Sequence, residues 1–186
     1  GEIVPGTYPL ETRGDSAAPR VRILGSGALL PEARRAAQQL VDTHGLKVQV
    51  YSVTSYTELA RNIQDHQRET LIQAQTQAQA TSCHVSTLLN RGEWGDAPVI
   101  AVSDYVKALP EQLRAAINAP LRVLGTDGFG RSDTREQLRA FFEVDNRFIQ
   151  YSALSELVAA GHMQLNLQDL RAQLEIPTDK PNPREH

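Results

Sequence analysis

The chain has 186 residues, 40% of them hydrophobic and 22% charged, with 19 Lys and Arg against 22 Asp and Glu for a net charge of −3. That length suits one domain with extensions and a core that needs no staples. The charge balance excludes a strongly basic nucleic-acid binder, and a single cysteine, Cys83, excludes an intramolecular disulfide and a multi-cysteine zinc site. No apolar run approaches the roughly 18 residues of a membrane helix and no signal peptide opens the chain, so no membrane partner is expected. The only methionine is Met163, so Gly1 is not a translation start and a larger parent is expected.

Residues 1–19 carry Pro5, Gly6, Pro9, Gly14 and Pro19 and read as an extended arm with a short strand at Ile3 and Val4. Val21-Arg22-Ile23-Leu24 is strand-like and is broken by Gly25-Ser26-Gly27. A helix starts near Pro31, with Ala33, Ala36, Ala37, Leu40 and Val41 on one face and Gly45 as its left-handed stop. Lys47 to Val53 is the next strand. Strand, helix, strand with short links is a βαβ unit, so these two strands should be parallel. Ser55 and Glu58 cap a helix through Leu59 and Ile63. Residues 67–81, with five glutamines, read as a weak helix or a mobile loop. Cys83 to Leu89 is apolar enough to rejoin the core, and 92–96 is a turn.

Pro98-Val-Ile-Ala-Val102 suits a central strand buried on both faces. A helix carrying Val106, Leu109, Leu113 and Ile117 follows, kinked or restarted by Pro110. Leu121-Arg-Val-Leu124 is another strand and a glycine-rich loop follows it. Asp133 and Glu136 form a capping pair for a helix with Leu138, Phe141 and Phe142. Asp145 caps a helix with Phe148, Tyr151, Leu154, Leu157 and Val158 at helical spacing and Gly161 as its stop. Asn166 caps a last helix carrying Leu167, Leu170 and Leu174, and residues 177–186 read as a loose tail. Alternating strands and helices give an α/β fold around a mainly parallel sheet.

Gly125-Thr126-Asp127-Gly128-Phe129-Gly130-Arg131-Ser132 nearly fits a phosphate-binding P-loop, with Arg131 in the place of lysine. A guanidinium fork replaces the compact point charge, and Asp127 puts a carboxylate among amides meant for phosphate. Gly25-Ser26-Gly27 opens like a dinucleotide fingerprint, but Leu30 stands at the third glycine and no acid closes the second strand. Cys83 and His84 are adjacent and diverge, so a nucleophile there needs another base. No two histidines stand four apart, which argues against zinc.

Leu124-Gly-Thr-Asp-Gly-Phe-Gly-Arg-Ser-Asp-Thr-Arg-Glu136, continuing to Phe142-Glu-Val-Asp145, resembles the C-terminal domain of the homodimeric bacterial pyruvate dehydrogenases, the thiamine-diphosphate-dependent decarboxylating components. Ile23-Leu-Gly-Ser-Gly27, Tyr51-Ser-Val-Thr-Ser-Tyr-Thr-Glu-Leu59, Ala101-Val-Ser-Asp-Tyr105 and Asn182-Pro-Arg184 agree in order, so the resemblance spans nearly the whole chain. One segment departs: where the family carries Arg-Trp-Asn and then His-Pro, Arg68 is followed here by Glu69, Thr70 and Leu71.

The resemblance implies a three-layer, Rossmann-like transketolase C-terminal domain, with a five-stranded mixed, mostly parallel sheet flanked by helices. The expected division is an arm at 1–19, the α/β domain at 20–176 and a tail at 177–186. It also implies a cytoplasmic bacterial parent, downstream of glycolysis, that oxidatively decarboxylates pyruvate with thiamine diphosphate and magnesium. Its acetyl group goes to a lipoyl domain of the dihydrolipoyl acetyltransferase component of a multienzyme complex. The Gly-Asp-Gly…Asn metal-diphosphate motif belongs to another domain of the family, and Gly95-Asp96 is followed here by Ala97. No catalytic, cofactor-binding or metal residue is therefore carried over, and the isolated chain is expected to be inactive. Its partners are the remaining domains of the parent and a second copy. Gly125, Asp127, Gly128, Phe129, Gly130, Arg131 and Asp133 are the expected interface and structural residues: the glycines for tight backbone, Asp133 as a helix cap, Arg131 paired with Asp127 or with a carboxylate outside the chain. Two alternatives stand beside this: a free-standing nucleotide or phosphate module using residues 125–132, and a 2-oxobutanoate-specific relative.

Overall fold

Apolar side chains at successive positions of a strand face opposite ways, so a strand apolar throughout needs cover on both sides. β4 (Val99–Val102) is such a strand, and it assembles in parallel with β2 (Arg20–Ser26), β3 (Lys47–Val53) and β5 (Leu121–Leu124), which are largely buried on both faces as well. The computed structural model describes residues 6–74 and 82–185. A fifth strand, β1 (Thr7–Arg13), pairs antiparallel with β3, giving the order β1-β3-β2-β4-β5 and the expected mixed, mostly parallel sheet. Ile3 and Val4, the expected strand, lie outside the described residues; the strand found begins at Thr7. Pro9 is tolerated there because β1 is an edge, and the pairing slips between Pro9 and Glu11.

One face of the sheet (Val21, Ile23, Val48, Val50, Ile100 and Val102) packs on α1 (Leu30–His44) and α6 (Asn146–Ala159), with α7 (Leu167–Gln173) beyond. The other face (Leu24, Tyr51, Val53, Val99, Ala101 and Val123) is covered by α2 (Tyr56–Ile72), α3 (His84–Leu89) and the segment of Leu113 and Ile117. The result is the three-layer arrangement expected.

The βαβ reading holds closely. Ala33, Ala36, Ala37 and Leu40 are buried, and Gly45 ends α1 at φ +63°. Ser55 Oγ accepts from the Glu58 amide at 3.1 Å. The reciprocal half of the capping box is missing, because the Ser55 amide donates to Gly6 O and Glu58 turns to Arg61. α2 continues to Ile72, so the first part of 67–81 is helix; residues 75–81 lie outside the described set.

Two readings need correction. The helix expected around Pro110 is two short pieces, α4 (Ala108–Glu111) and a 3₁₀ turn at Gln112–Ala115, and Val106 is exposed. Proline cannot donate to the preceding turn, so no longer helix forms through it. The cap of α5 (Arg135–Phe141) is Thr134, whose hydroxyl accepts from Gln137 N at 3.3 Å. Asp133 instead accepts from the adjacent Thr134 amide at 2.7 Å. On α6 the fully buried face includes Ile149 and Ala153 with Leu154 and Leu157, while Phe148 and Tyr151 are half-buried.

The tail is held at two points. Pro183 is buried against the Gly128 turn, and the Lys180 ammonium donates to Phe141 O and meets Glu143 Oε1 at 3.1 Å.

Candidate functional site

In an open parallel sheet, ligands and partners gather where the strand order reverses, at the carboxyl ends of the strands. Here the chain goes from β2 to β3 on one side and later returns to β4 on the other, so the reversal lies between β2 and β4. Tyr56 closes it from below: its buried hydroxyl donates toward Leu24 O (3.1 Å) and Val102 O (3.3 Å), and burial raises its pKa far above the ordinary value. Above it, Gly27 sits at φ +48°, and a Cβ there would come within 3.2 Å of the Asp104 carboxylate. Gly25 is needed for a different reason, since its Cβ would press on Ala33 at 2.9 Å. Close strand–helix packing in this glycine motif thus falls on Gly25, with Leu30 one turn on.

Asp104 stands between two clefts, each of about 510 Å³. The first is mixed, with the hydroxyls of Ser26, Thr54, Ser55, Thr57 and Ser103 beside Val53 and Leu109. The second is mostly apolar, lined by Leu29, Phe129, Leu138, Phe142 and Val144 with Arg131, Arg135 and Arg139.

The glycine-rich loop forms the wall of the second cleft. Gly125 approaches β4's exit so closely that a Cβ would lie 2.7 Å from Tyr105 O. The Thr126 amide donates to Tyr105 O (3.0 Å), its hydroxyl to Asp104 O (2.7 Å), and Asp127 Oδ1 accepts from the Lys107 amide (2.9 Å). Gly128 adopts φ +128°, with Pro183 O only 2.2 Å from a Cβ built there. Phe129 is 74% exposed. Gly130 is open on all sides and has no positive φ, so the expected strain at that glycine has no basis.

Arg131 does not pair with Asp127. Its guanidinium lies 4.1 Å from the centre of the Phe141 ring, a cation–π stack, while Asp127 is taken up by the Lys107 amide. The loop also offers no phosphate cradle of the P-loop kind: the Thr126 amide is already bonded and a carboxylate stands among the backbone donors. No three His, Cys, Asp or Glu groups converge among the described residues. Cys83 is buried, with its sulfur 3.2 Å from Ser86 Oγ, and is not paired with an imidazole among the described residues.

One residue next to the second cleft went unmarked in the sequence. Glu32, 3% exposed, accepts from Arg139 Nη1 (2.9 Å), the Asn146 amide (3.0 Å), Asn146 Nδ2 (3.0 Å) and Arg35 Nη1 (3.3 Å). Burial alone would raise its pKa; the Asn146 hydrogen bonds and the charges of Arg35 and Arg139 hold it below the ordinary carboxylate value. Glu32 thereby ties α1 to α5 and α6. The only local signals were a glutamate in a helix's first turn and Arg35 three residues on; its other partners, Arg139 and Asn146, are more than 100 residues away. A second buried charge, Arg22, is fully enclosed and donates to Leu89 O and Ala97 O; desolvation pulls its pKa down to about 10, leaving it charged at neutral pH.

Comparison with known proteins identifies the family of this chain. Residues 6–145 match the family model of the transketolase-like TK C-terminal domain. The pyruvate dehydrogenase E1 component of Escherichia coli K12 is 42% identical over 184 residues, 98% of this chain and 20% of that protein. The components of that name from Buchnera aphidicola subsp. Baizongia pistaciae and Haemophilus influenzae are 41% and 39% identical over 98% and 97% of this chain, again 20% of each relative. A solved transketolase from Campylobacter jejuni aligns over 83% of this chain and 19% of that one, at 20% identity and a TM-score of 0.49. The chain thus spans about a fifth of the length of the curated relatives it matches, and it belongs to the transketolase-like C-terminal domain family.

Proposed function

We propose that this chain is the C-terminal domain of a homodimeric pyruvate dehydrogenase component, and that it organises interdomain and dimer packing while the chemistry belongs to the rest of the parent. The observation that carries the reading is 42% identity across 98% of the chain to one fifth of a pyruvate dehydrogenase E1 component. The parent decarboxylates pyruvate on thiamine diphosphate with magnesium and delivers the acetyl group to the lipoyl domain of a dihydrolipoyl acetyltransferase in the cytoplasm. This chain supplies a rigid sheet and the 125–133 loop. Gly125 and Gly128 let that loop lie close against Tyr105 and Pro183, and Phe129 and Arg131 form its outward face.

The test is made on the full parent and on this chain side by side. The parent should turn over pyruvate with thiamine diphosphate and magnesium, faster than 2-oxobutanoate, while calorimetry detects no binding of thiamine diphosphate by the chain alone. Micromolar binding by the chain alone, or a parent gene without a Gly-Asp-Gly…Asn segment upstream, overturns the reading.

A further inference from the structure

The apolar cleft beside α5 has features that packing within this chain does not account for. None of the seven residues of α5 is buried, although Leu138 and Phe141 are large and apolar. Leu138 and Phe141 are only half-covered, which leaves the apolar face of this short helix incomplete. Phe129 at the cleft is 74% exposed, and Tyr105 and Val106 on the neighbouring loop are 68% and 50% exposed. Phe129 stands at the edge of a hollow of about 510 Å³ lined by Leu29, Leu138, Phe142 and Val144, roomy enough for a large side chain and its neighbours.

The charges at the cleft are unequal. Arg139 is occupied by Glu32 and by Ala28 O. Arg131 and Arg135 make no hydrogen bond or ion pair among the described residues, and Arg131 keeps its donors free while stacked on Phe141. Arg135 is also the first residue of α5, where the helix dipole already presents positive charge and disfavours a cation. Glu136 in the same first turn offsets part of that charge, but no carboxylate meets the Arg135 guanidinium among the described residues, and a cation left without a direct partner at an apolar cleft points to one from outside. On the other side, Asp104 lines the same cleft next to Gly27 and repels a second carboxylate there.

We infer that this cleft receives an apolar side chain with an acidic neighbour, contributed by the part of the parent chain that lies outside these 186 residues. The apolar side chain sits against Phe129, Leu138 and Phe142, and its neighbouring carboxylate meets Arg135 and Arg131. The occupant comes from the parent because the relatives have about four fifths of their length outside the matched region. The inference rests on the parent reading above and names the chemistry of the contact.

The experiment replaces Phe129 by the photo-crosslinking residue benzoylphenylalanine in the full parent, irradiates it and maps the product by mass spectrometry. The expected product joins position 129 to an apolar residue outside this chain, with Asp or Glu within one helical turn of it. Arg135→Glu should reduce its yield about tenfold, and Arg135→Lys should restore most of it. A crosslink to residues 1–186 of a second copy, a crosslink with no acidic neighbour, a yield indifferent to Arg135→Glu, or no crosslink at all overturns the inference. If any of these occurs in a parent that decarboxylates pyruvate, the inference alone has failed; a parent without that activity removes the reading on which it rests.

Discussion

Glu32 on α1 meets α5 through Arg139, Arg135 opens that same short helix, and the two charges are opposites. Glu32 is buried and every donor around it is used: two guanidinia, a backbone amide and a side-chain amide. Arg135 is exposed, at the wrong end of a helix dipole and without a partner among the described residues. The first is a joint completed within the chain, the second a joint left open. A charged residue near a cleft therefore does not by itself mark function. What separates the two is whether the surrounding fold already answers the charge.

The comparison breaks most visibly at Glu32. Glu32→Ala leaves Arg139 and the Asn146 amide facing an uncompensated gap, and removing one partner of a buried ion pair costs roughly 3–5 kcal/mol. In a domain of this size that lowers Tm by about 10 °C, measurable by calorimetry. The same carboxyl sets an acid limit. Its folded pKa lies below its ordinary 4.5, so its contribution is complete above about pH 4.5 and is lost as the pH falls through the lowered folded value. Denaturant titrations should accordingly show the stability gap between the native chain and Glu32→Gln shrinking steadily as the medium is acidified below pH 4.5.

Gly128→Ala comes next. It forces a side chain into φ +128° and onto Pro183 O, a strain of about 1–3 kcal/mol. Limited proteolysis should then find the 178–185 segment cut first. Gly130→Ala, two residues on and unobstructed, should be neutral or stabilise by about 0.4–1 kcal/mol, so a melting curve that penalised both glycines equally would contradict the packing described. Arg135→Ala is the smallest effect: within about 0.5 kcal/mol of the native chain, or stabilising by about 0.3–1 kcal/mol as a cation leaves the start of α5. A loss of 2 kcal/mol or more, well beyond the usual range for exposed sites, would place Arg135 in a joint internal to the chain.

What the sequence made legible follows the range of the forces involved. Gly45, Ser55, Asp145 and Asn166 act on backbone within a few residues, and their stops and caps appear where the local pattern puts them. The Val99–Val102 strand is buried on both faces, as its unbroken apolar run implies. β1 was not legible, because Pro9 and flanking glycines mask its pattern and its pairing exists only once β3 is formed. The rim was recognised as a stretch but its internal bonds were not. Asp127 reaches 20 residues back to the Lys107 amide, Arg131 prefers an aromatic face to a carboxylate, and Thr134 outcompetes Asp133 as the cap by one position. Glu32 shows locally only its place in a first turn and Arg35 three residues on, because Arg139 and Asn146, which complete the joint, are over 100 residues distant.

The central claim is that the Glu32 joint is closed inside this chain while the Arg135 rim is closed only by the parent. Labelling with phenylglyoxal, which modifies free guanidinium groups, followed by peptide mass spectrometry compares the two directly. Arg139, held by Glu32 and Ala28 O, should be protected both in this chain and in the full parent. Arg135 should be labelled readily in this chain and protected in the parent. Equal labelling of Arg135 in both would contradict the account.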